Sequence, residues 1–337
     1  MKRFLRVLFT ILGSLLLLTF TPLSVYAAST SNQALSSANG YKLSPVRTDL
    51  TISKGSSEDV SVIIQNVSSS TENLSVIVDD FQAPTNESGY PSLLLNGATA
   101  PTHSLKQFVD VPNSTVNLQP GQQQTVTVVI KVPSNAESGG YYGAIRFAPV
   151  SFSPNGAKNV NLAASVASLV LLTVPGNLVE QLSIVGFGVS QGSSVNTKSL
   201  FFTDKNLQAQ IRFSNTGNIQ VQPIGNVILK SGSKDLGTFP VNSSSLPGNV
   251  LPQSIRRFSV TLNKVSWYGK YKVLATFNYG SKDQVINASS TFYVIPVIFI
   301  VIVILVILII IFLIFVLPRM IRSYNKRVIA KANQRRN

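Results

Sequence analysis

The feature that most constrains this chain is an apolar run of 24 residues, from Val294 to Leu317, which contains no charged side chain. A helix needs about 20 apolar residues to cross the hydrocarbon layer of a bilayer, and a globular core rarely needs an apolar helix of this length. The run therefore predicts a transmembrane helix over residues 294–317. The tail that follows, residues 318–337, carries seven Lys and Arg side chains and no Asp or Glu. Because basic residues beside a span tend to stay in the cytoplasm, we expect the tail inside and the body of the protein outside.

The amino terminus agrees with this orientation. Three basic residues precede an apolar stretch over residues 7–20, and Val25-Tyr26-Ala27 then places small residues at the two positions that a signal peptidase reads. This pattern predicts a signal peptide over residues 1–27, cleaved after Ala27. An uncleaved first span is the alternative, and in either case residues 28–293 are exported.

The charge of the chain is distributed unevenly along the sequence. The formal net charge is +15, but of the 28 Lys and Arg residues three lie in the signal peptide and seven in the tail. The remaining 18 basic residues are largely balanced by the 13 Asp and Glu residues, so the exported part is only mildly basic. Anionic lipids at the inner leaflet account for the basic tail, and nucleic acid is not expected as a partner. Since the chain has no cysteine, it can form no disulfide and no thiolate metal site.

The exported residues have strand character nearly throughout. Short runs rich in Val, Ile, Thr and Phe are broken every 8–12 residues by Pro, Gly, Asn or Ser, which is typical of antiparallel β-sandwiches. We predict an all-β fold of two tandem immunoglobulin-like β-sandwiches followed by the C-terminal transmembrane α-helix. The predicted segments are a disordered lead over 28–40, a first domain over 41–176 and a second domain over 177–293. The predicted strands are 42–50, 57–66, 73–81, 107–111, 114–118, 123–132, 140–149, 163–174, 179–189, 208–215, 225–230, 234–241, 256–262, 269–279 and 289–293.

An internal repeat supports the two-domain interpretation. Three landmarks occur in the same order in each half of the exported part: an apolar strand that closes on Asn, a turn that leads into a Thr- and Val-rich strand, and a glycine- and tyrosine-containing late strand. The pairs are 62–66 with 211–215, 118–128 with 251–262, and 140–147 with 268–277.

The sequence offers no catalytic set. His103, the single histidine, lies in a polar loop without neighbouring carboxylates, which is more typical of a solvated residue than of a metal ligand. Asp79 and Asp80 are adjacent in a predicted strand, so their side chains point to opposite faces and cannot act on one bond. The glycines around residue 140 lack the Lys-Ser/Thr pair of a phosphate loop. We expect a protein that is not an enzyme, without metal or cofactor.

Exposed aromatic residues are the remaining candidates for ligand binding. Trp267 and Tyr268 could stack on sugar rings, although Tyr271 after Gly269 also fits a residue that fixes a sandwich corner by a hydrogen bond. Tyr141 and Tyr142 carry the same two interpretations. One of this pair must point away from the core if both lie in a strand.

The stretch 118–147 resembles the peptidoglycan-binding domain of WxL-interacting proteins. The resemblance lies in Pro120-Gly121-Gln122, in the strand end Ile130-Lys131-Val132-Pro133, in Ala136 and in the run from Gly140 to Ile145. Residues 205–293 resemble the family more loosely. These Gram-positive surface proteins have two immunoglobulin-like domains between a signal peptide and a C-terminal span with a basic tail, which is the layout of this chain.

The resemblance implies that the first domain binds peptidoglycan or another wall polymer and that the second binds a surface protein. We therefore expect a non-enzymatic, single-pass surface protein in the cell membrane. The candidate ligand-binding residues are Tyr141, Tyr142 and Arg146 in the first domain, and Trp267 and Tyr268 in the second. One alternative is an accessory subunit of a surface assembly, joined to its partners through sheet edges. An enzyme such as a glycosidase or peptidase is a further alternative.

Overall fold

Two β-sandwiches and a C-terminal helix make up the part of the chain that the structure describes. The computed structural model describes residues 40–95, 97–100, 102–150, 165–192 and 199–334. The predicted signal peptide, residues 28–39 of the predicted lead and the end of the tail lie outside the described residues. Both sandwiches and the helix belong to one compact unit, residues Gly40–Asn337. The predicted all-β class with one apolar C-terminal helix is confirmed.

The first sandwich packs a four-stranded sheet against a six-stranded sheet. The first sheet has the order β1-β3-β8-β6, and the second has the order β2-β10-β9-β4-β5, with β7 paired to β4. Neighbouring strands are antiparallel except for the parallel pair β2 and β10. The bounds are β1 Tyr41–Ser44, β2 Arg47–Thr51, β3 Ser57–Asn66, β4 Glu72–Gln82, β5 Ser92–Leu94, β6 Val109–Asp110, β7 Thr115–Leu118, β8 Gln123–Lys131, β9 Gly139–Pro149 and β10 Val166–Val174, with a 3-10 turn at Lys106–Phe108.

The second sandwich packs a three-stranded sheet, β11-β13-β16, against a five-stranded sheet, β12-β18-β17-β14-β15. Its core includes the fully buried rings of Phe213, Phe277 and Phe292. The bounds are β11 Leu182–Gln191, β12 Phe201–Phe202, β13 Leu207–Asn215, β14 Ile224–Ser231, β15 Lys234–Val241, β16 Ser254–Thr261, β17 Gly269–Tyr279 and β18 Gln284–Val294.

Alternation of apolar and polar residues explains the central strands. On β3, Val60, Val62 and Ile64 are buried, whereas Ser61 and Ile63 between them are exposed. Strand β8 follows the same period of two. Since successive side chains of a strand point to opposite faces, each strand contributes one apolar row to the space between the sheets.

Three strand predictions need correction. The predicted strand 107–111 is a 3-10 turn, Lys106–Phe108, followed by the short strand β6, Val109–Asp110. The predicted strand 42–50 is two strands, because Pro45 has no N–H to donate and the chain changes sheets there: β1 pairs with β3, and β2 pairs with β10. The predicted strand 289–293 is the end of a longer strand, β18, which runs from Gln284 to Val294. The short strands β5 and β12 were not predicted.

The C-terminal helix begins at Val297, three residues later than predicted, because Val294 still pairs with Gly269 in the sheet. Its segments are α1 Val297–Ile311, a π-helical turn Phe312–Val316 and α2 Leu317–Gln334. The helix over Val297–Lys326 contains an 18-residue window with a mean hydropathy of 4.1, and it is long and apolar enough to cross a membrane. Only two residues separate it from the last strand.

Two buried asparagines show that the internal repeat is structural. Asn66 ends β3, and its amide donates to the carbonyl oxygens of Leu118 at 3.0 Å and Ser70 at 2.7 Å. Asn215 ends β13, and its amide donates to those of Val250 and Ile219, both at 2.8 Å. In each sandwich one side chain therefore supplies the donors for buried turn carbonyls.

Replacement of Asn215 by alanine leaves the carbonyl group of Ile219 without this donor, whereas that of Val250 keeps its hydrogen bond from Val221 N. An unsatisfied buried polar group costs about 1–3 kcal/mol, so we expect Asn215→Ala to lower the free energy of unfolding by at least that amount in a urea titration. Asn287→Ala, an exposed position on β18, is the control and should change it by less than about 0.5 kcal/mol. Equal effects of the two substitutions would contradict this role of Asn215.

Candidate functional site

Tyr142 joins the two sandwiches. It lies on the face of β9 that points away from the first core, as expected for one of the two tyrosines, yet only 4% of its surface is exposed. Its hydroxyl donates to Oε1 of Gln220 in the second sandwich at 2.7 Å, and Leu251 of that sandwich packs on the cluster formed by Phe81, Tyr142, Ala144 and Leu171. Burial raises the pKa of Tyr142 far above its ordinary value, so the hydroxyl remains a donor.

Polar contacts reinforce this junction. The Nε of Arg212 on β13 donates to Oε2 of Glu87 in the first sandwich at 2.7 Å, and a terminal guanidinium nitrogen contacts the other carboxylate oxygen. The hydrogen bonds from Arg212, opposed in part by burial, lower the pKa of Glu87. Further hydrogen bonds across the junction run from Arg47 to the carbonyl of Pro247, from Gly140 N to the carbonyl of Asn218 and from Arg257 to the carbonyl of Asn86.

Tyr141 points into the first core. Its hydroxyl donates to the carbonyl oxygen of Glu137 at 3.0 Å, and its ring centre lies 4.7 Å from that of Phe108. Burial, and next the charge of Glu137, raise the pKa of Tyr141. Tyr271 in the second sandwich makes the equivalent hydrogen bond to the carbonyl of Tyr268 at 2.9 Å. Both tyrosines hold a corner of their sandwich, the alternative that the sequence offered for each.

Arg146 lies on the outward face of β9, beyond Ala144. Its Nε donates to Oδ2 of Asp79 on β4 at 2.6 Å, and the Asp79 side chain is only 1% exposed. An open groove beside this pair is lined by Asp79, Lys106 and Arg146 together with Val109 and Val111. The groove thus presents two cations and one buried, paired carboxylate.

The next residue of β4, Asp80, has different hydrogen-bond partners from Asp79. Asp80 is fully buried and accepts backbone hydrogen bonds from Ala100 and Lys106, both at 2.9 Å. Asp79 and Asp80 thus engage different partners, and each is a buried structural residue. His103 is half-buried, with its ring edge-on to Tyr141 at 6.1 Å. Within the described residues, no group of three or more His, Asp or Glu side chains could hold a metal ion.

Trp267 and Tyr268 lie on the loop between β16 and β17, with exposed fractions of 57% and 62%. Their ring centres are 4.8 Å apart. The next residue, Gly269, pairs with Val294 at the end of β18, directly before the helix. The two aromatic side chains are therefore accessible, and they lie at the end of the second sandwich from which the helix emerges.

Sequence reasoning assigned neither Tyr142 nor Glu87 to a domain junction. A signal for the first was present, because β9 has no polar or charged residue from Gly139 to Ile145 apart from the tyrosine hydroxyls. A strand without a polar face is typical of one that is covered on both sides. The contact of Glu87 with Arg212 joins positions 125 residues apart and left no local pattern.

Residues 27–149 match the family model described as WxL Interacting Protein, peptidoglycan binding domain. The match ends with the last residue of β9 and confirms the resemblance that the sequence predicted. A comparison with curated proteins finds no match.

Among solved structures, the class 5 fimbriae chaperone CfaA is 16% identical with a TM-score of 0.37, and the alignment covers 76% of this chain and 100% of that one. The E. coli chaperone DraB is 13% identical with a TM-score of 0.33, covering 76% and 98%. The Pseudomonas aeruginosa CupB2 chaperone is 9% identical with a TM-score of 0.31, covering 73% and 97%. Likenesses this distant carry no argument about function.

The ion pair of Glu87 with Arg212 predicts a pH dependence of stability. Because the folded-state pKa of Glu87 lies below its ordinary value of 4.5, the pair contributes fully above that pH and its contribution is lost as the pH falls through the folded-state pKa. We expect Glu87→Gln to destabilise the chain by no more than about 1 kcal/mol at pH 7, since the pair is partly exposed, and by less at pH 3. Urea titrations at both pH values measure the difference.

Glu58→Gln, at an exposed position of β3, is the matched control and should show no such pH-dependent difference. A Glu87→Gln effect that is as large at pH 3 as at pH 7 would contradict the assignment.

Proposed function

We propose that this chain is a non-enzymatic surface protein that binds peptidoglycan through its first sandwich and is held in the cell membrane by its C-terminal helix. The observation that carries the proposal is the match of residues 27–149 to a peptidoglycan-binding domain, which extends over β1 to β9. A protein partner, which the resemblance implies for the second sandwich, is part of the proposal.

The groove beside Arg146 is the proposed wall site. All of its lining residues fall between Val76 and Arg146, inside the segment that matches the family. Peptidoglycan carries free carboxylates on its peptide stems, and guanidinium and ammonium groups bind carboxylates by charge-assisted hydrogen bonds. Arg146 and Lys106 would bind the stem. Tyr141 and Tyr142 are buried, so they would act by fixing the β9 backbone that carries Arg146.

The helix is the proposed anchor. It begins at Val297 after a strand that ends at Val294, so the second sandwich would stand directly on the membrane. The basic residues after the apolar run would keep the tail in the cytoplasm and the sandwiches outside. A signal peptide over residues 1–27 is expected for this orientation.

Trp267 and Tyr268 would then lie at the outer interface of the bilayer. Tryptophan and tyrosine are enriched at that level, because their rings are apolar and their N–H and O–H groups bind water or headgroups. Phe201, which is 63% exposed and stacked on Tyr293, pairs with the same end of β18 and would extend this surface. A lipid contact accounts for this exposure more directly than stacking on a wall sugar does.

Lys106→Gln tests the wall site without removing the partner of buried Asp79. A charge-assisted hydrogen bond contributes about 1.5 kcal/mol, so we expect roughly tenfold weaker sedimentation of the detergent-solubilised chain with insoluble peptidoglycan. Lys54→Gln, at an exposed turn of the same sandwich, removes the same charge and should bind as the wild type does. Wild-type retention by Lys106→Gln would exclude the groove, and no sedimentation of the wild type would exclude wall binding.

Trp267 is the sole tryptophan, so its fluorescence reports on this position alone. We expect vesicles containing phospholipids brominated near the headgroup to quench its emission after reconstitution of the full chain, with Trp267→Phe as the blank. A chain that floats with the vesicles but is not quenched would refute the aromatic contact alone. A chain that does not float with them would refute the anchor.

A further inference from the structure

A cleft of about 490 Å³ separates parts of the two sandwiches. This volume falls within the range of about 300–1,000 Å³ that is usual for ligand pockets. Both sandwiches contribute to an apolar lining, which includes Phe81, Pro91, Leu169 and Leu171 from the first and Leu246 and Leu251 from the second. The cleft is distinct from the groove beside Arg146, with which it shares no lining residue.

The guanidinium group of a residue in the second sandwich lines this cleft. Arg256 lies on β16, and its side chain is enclosed between two glycines: a Cβ added at Gly89 of the first sandwich or at Gly248 of the second would collide with the guanidinium. One of its terminal nitrogens donates to the carbonyl of Asn249 at 2.7 Å, and the group lies 4.8 Å from the ring centre of Phe258. Its buried Nε has no hydrogen-bond partner among the described residues.

A second cation approaches from the first sandwich. The Arg47 side chain, 10% exposed, donates to Asp49 at 2.9 Å and across the junction to the carbonyl of Pro247 at 2.7 Å. Burial, and next the charge of Arg47, lower the pKa of Arg256. The carboxylate of Asp49 pairs with Arg47 and not with Arg256. Arg256 has no ion pair within the described part of the chain. A partly buried cation without a counter-ion is costly, and an incoming anion would remove that cost.

We infer that this cleft binds a peptide segment of a partner protein that carries a carboxylate next to apolar side chains. The two guanidinium groups select for the carboxylate, because guanidinium groups bind carboxylates by charge-assisted hydrogen bonds. The lining of leucine, proline and aromatic side chains favours apolar residues over a sugar, which would need many more hydrogen-bonding groups than the cleft provides. This inference goes beyond wall binding and gives the proposed protein partner a site.

The inference is tested with the full chain in detergent and an array of fluorescent tripeptides of apolar residues, prepared as free C-terminal acids and as the corresponding amides. We expect fluorescence anisotropy to show binding of a subset of the acids, with the matching amides at least roughly tenfold weaker. Arg256→Gln should reduce acid binding to the level of the amide. Lys272→Gln, which removes an exposed cation from β17, is the control and should leave it unchanged.

A second variant separates binding from folding. Leu246 is 45% exposed at the cleft, so Leu246→Asp should fold normally while its carboxylate repels the ligand. Both variants should keep wild-type sedimentation with peptidoglycan, so that this inference and wall binding can fail separately. Equal binding of acids and amides, no binding of any acid, or an unchanged affinity in both variants would overturn the inference. Displacement of the peptides by soluble muropeptides would also overturn it, because the occupant would then be the wall polymer.

Discussion

The structure depends on the burial of β9 on both of its faces. The inward face places Tyr141 and Phe147 in the core of the first sandwich, and the outward face places Tyr142 under the second. An isolated first sandwich would expose the cluster of Phe81, Tyr142 and Leu171, and burial of apolar surface gains roughly 25 cal/mol per Å². The two sandwiches therefore complete each other's surface, and the junction is more than a flexible linker between two independent domains.

The same junction determines the electrostatics of the cleft. Glu87 forms an ion pair with Arg212 at one place, whereas at another Arg47 and Arg256 repel each other and Asp49 pairs with Arg47. Gly89 and Gly248 lack the side chains that would exclude the Arg256 guanidinium. Cations are thus concentrated where the two sandwiches meet, although residues 28–293 as a whole are only mildly basic.

The sequence was sufficient for the fold class, for the apolar helix and for the repeat, because each depends on local periodicity or on a recurring turn. Asn66 and Asn215 illustrate this: the same residue type ends the equivalent strand in both halves, and in the structure both make equivalent hydrogen bonds.

The residues that cover Tyr142 could not be identified from the sequence, since alternation predicts that a side chain points outward but not what packs on it. The approach of Arg47 to Pro247 spans 200 residues and left no trace in spacing or charge. The groove beside Arg146 was predicted only in part. The sequence identified Arg146 as a candidate, but it did not identify Asp79 as its buried partner.

The burial of β9 on both faces holds the two sandwiches in one arrangement. The chain has no native cysteine, so two spin labels can be attached to one doubly substituted chain. One label is at Lys54→Cys in the first sandwich and the other at Lys282→Cys in the second, both at exposed positions. Double electron–electron resonance on the full chain in detergent then measures the distance distribution between them. We expect one narrow distribution of distances, which broadens in Tyr142→Ala. A broad or multimodal distribution in the otherwise wild-type chain would contradict this single arrangement.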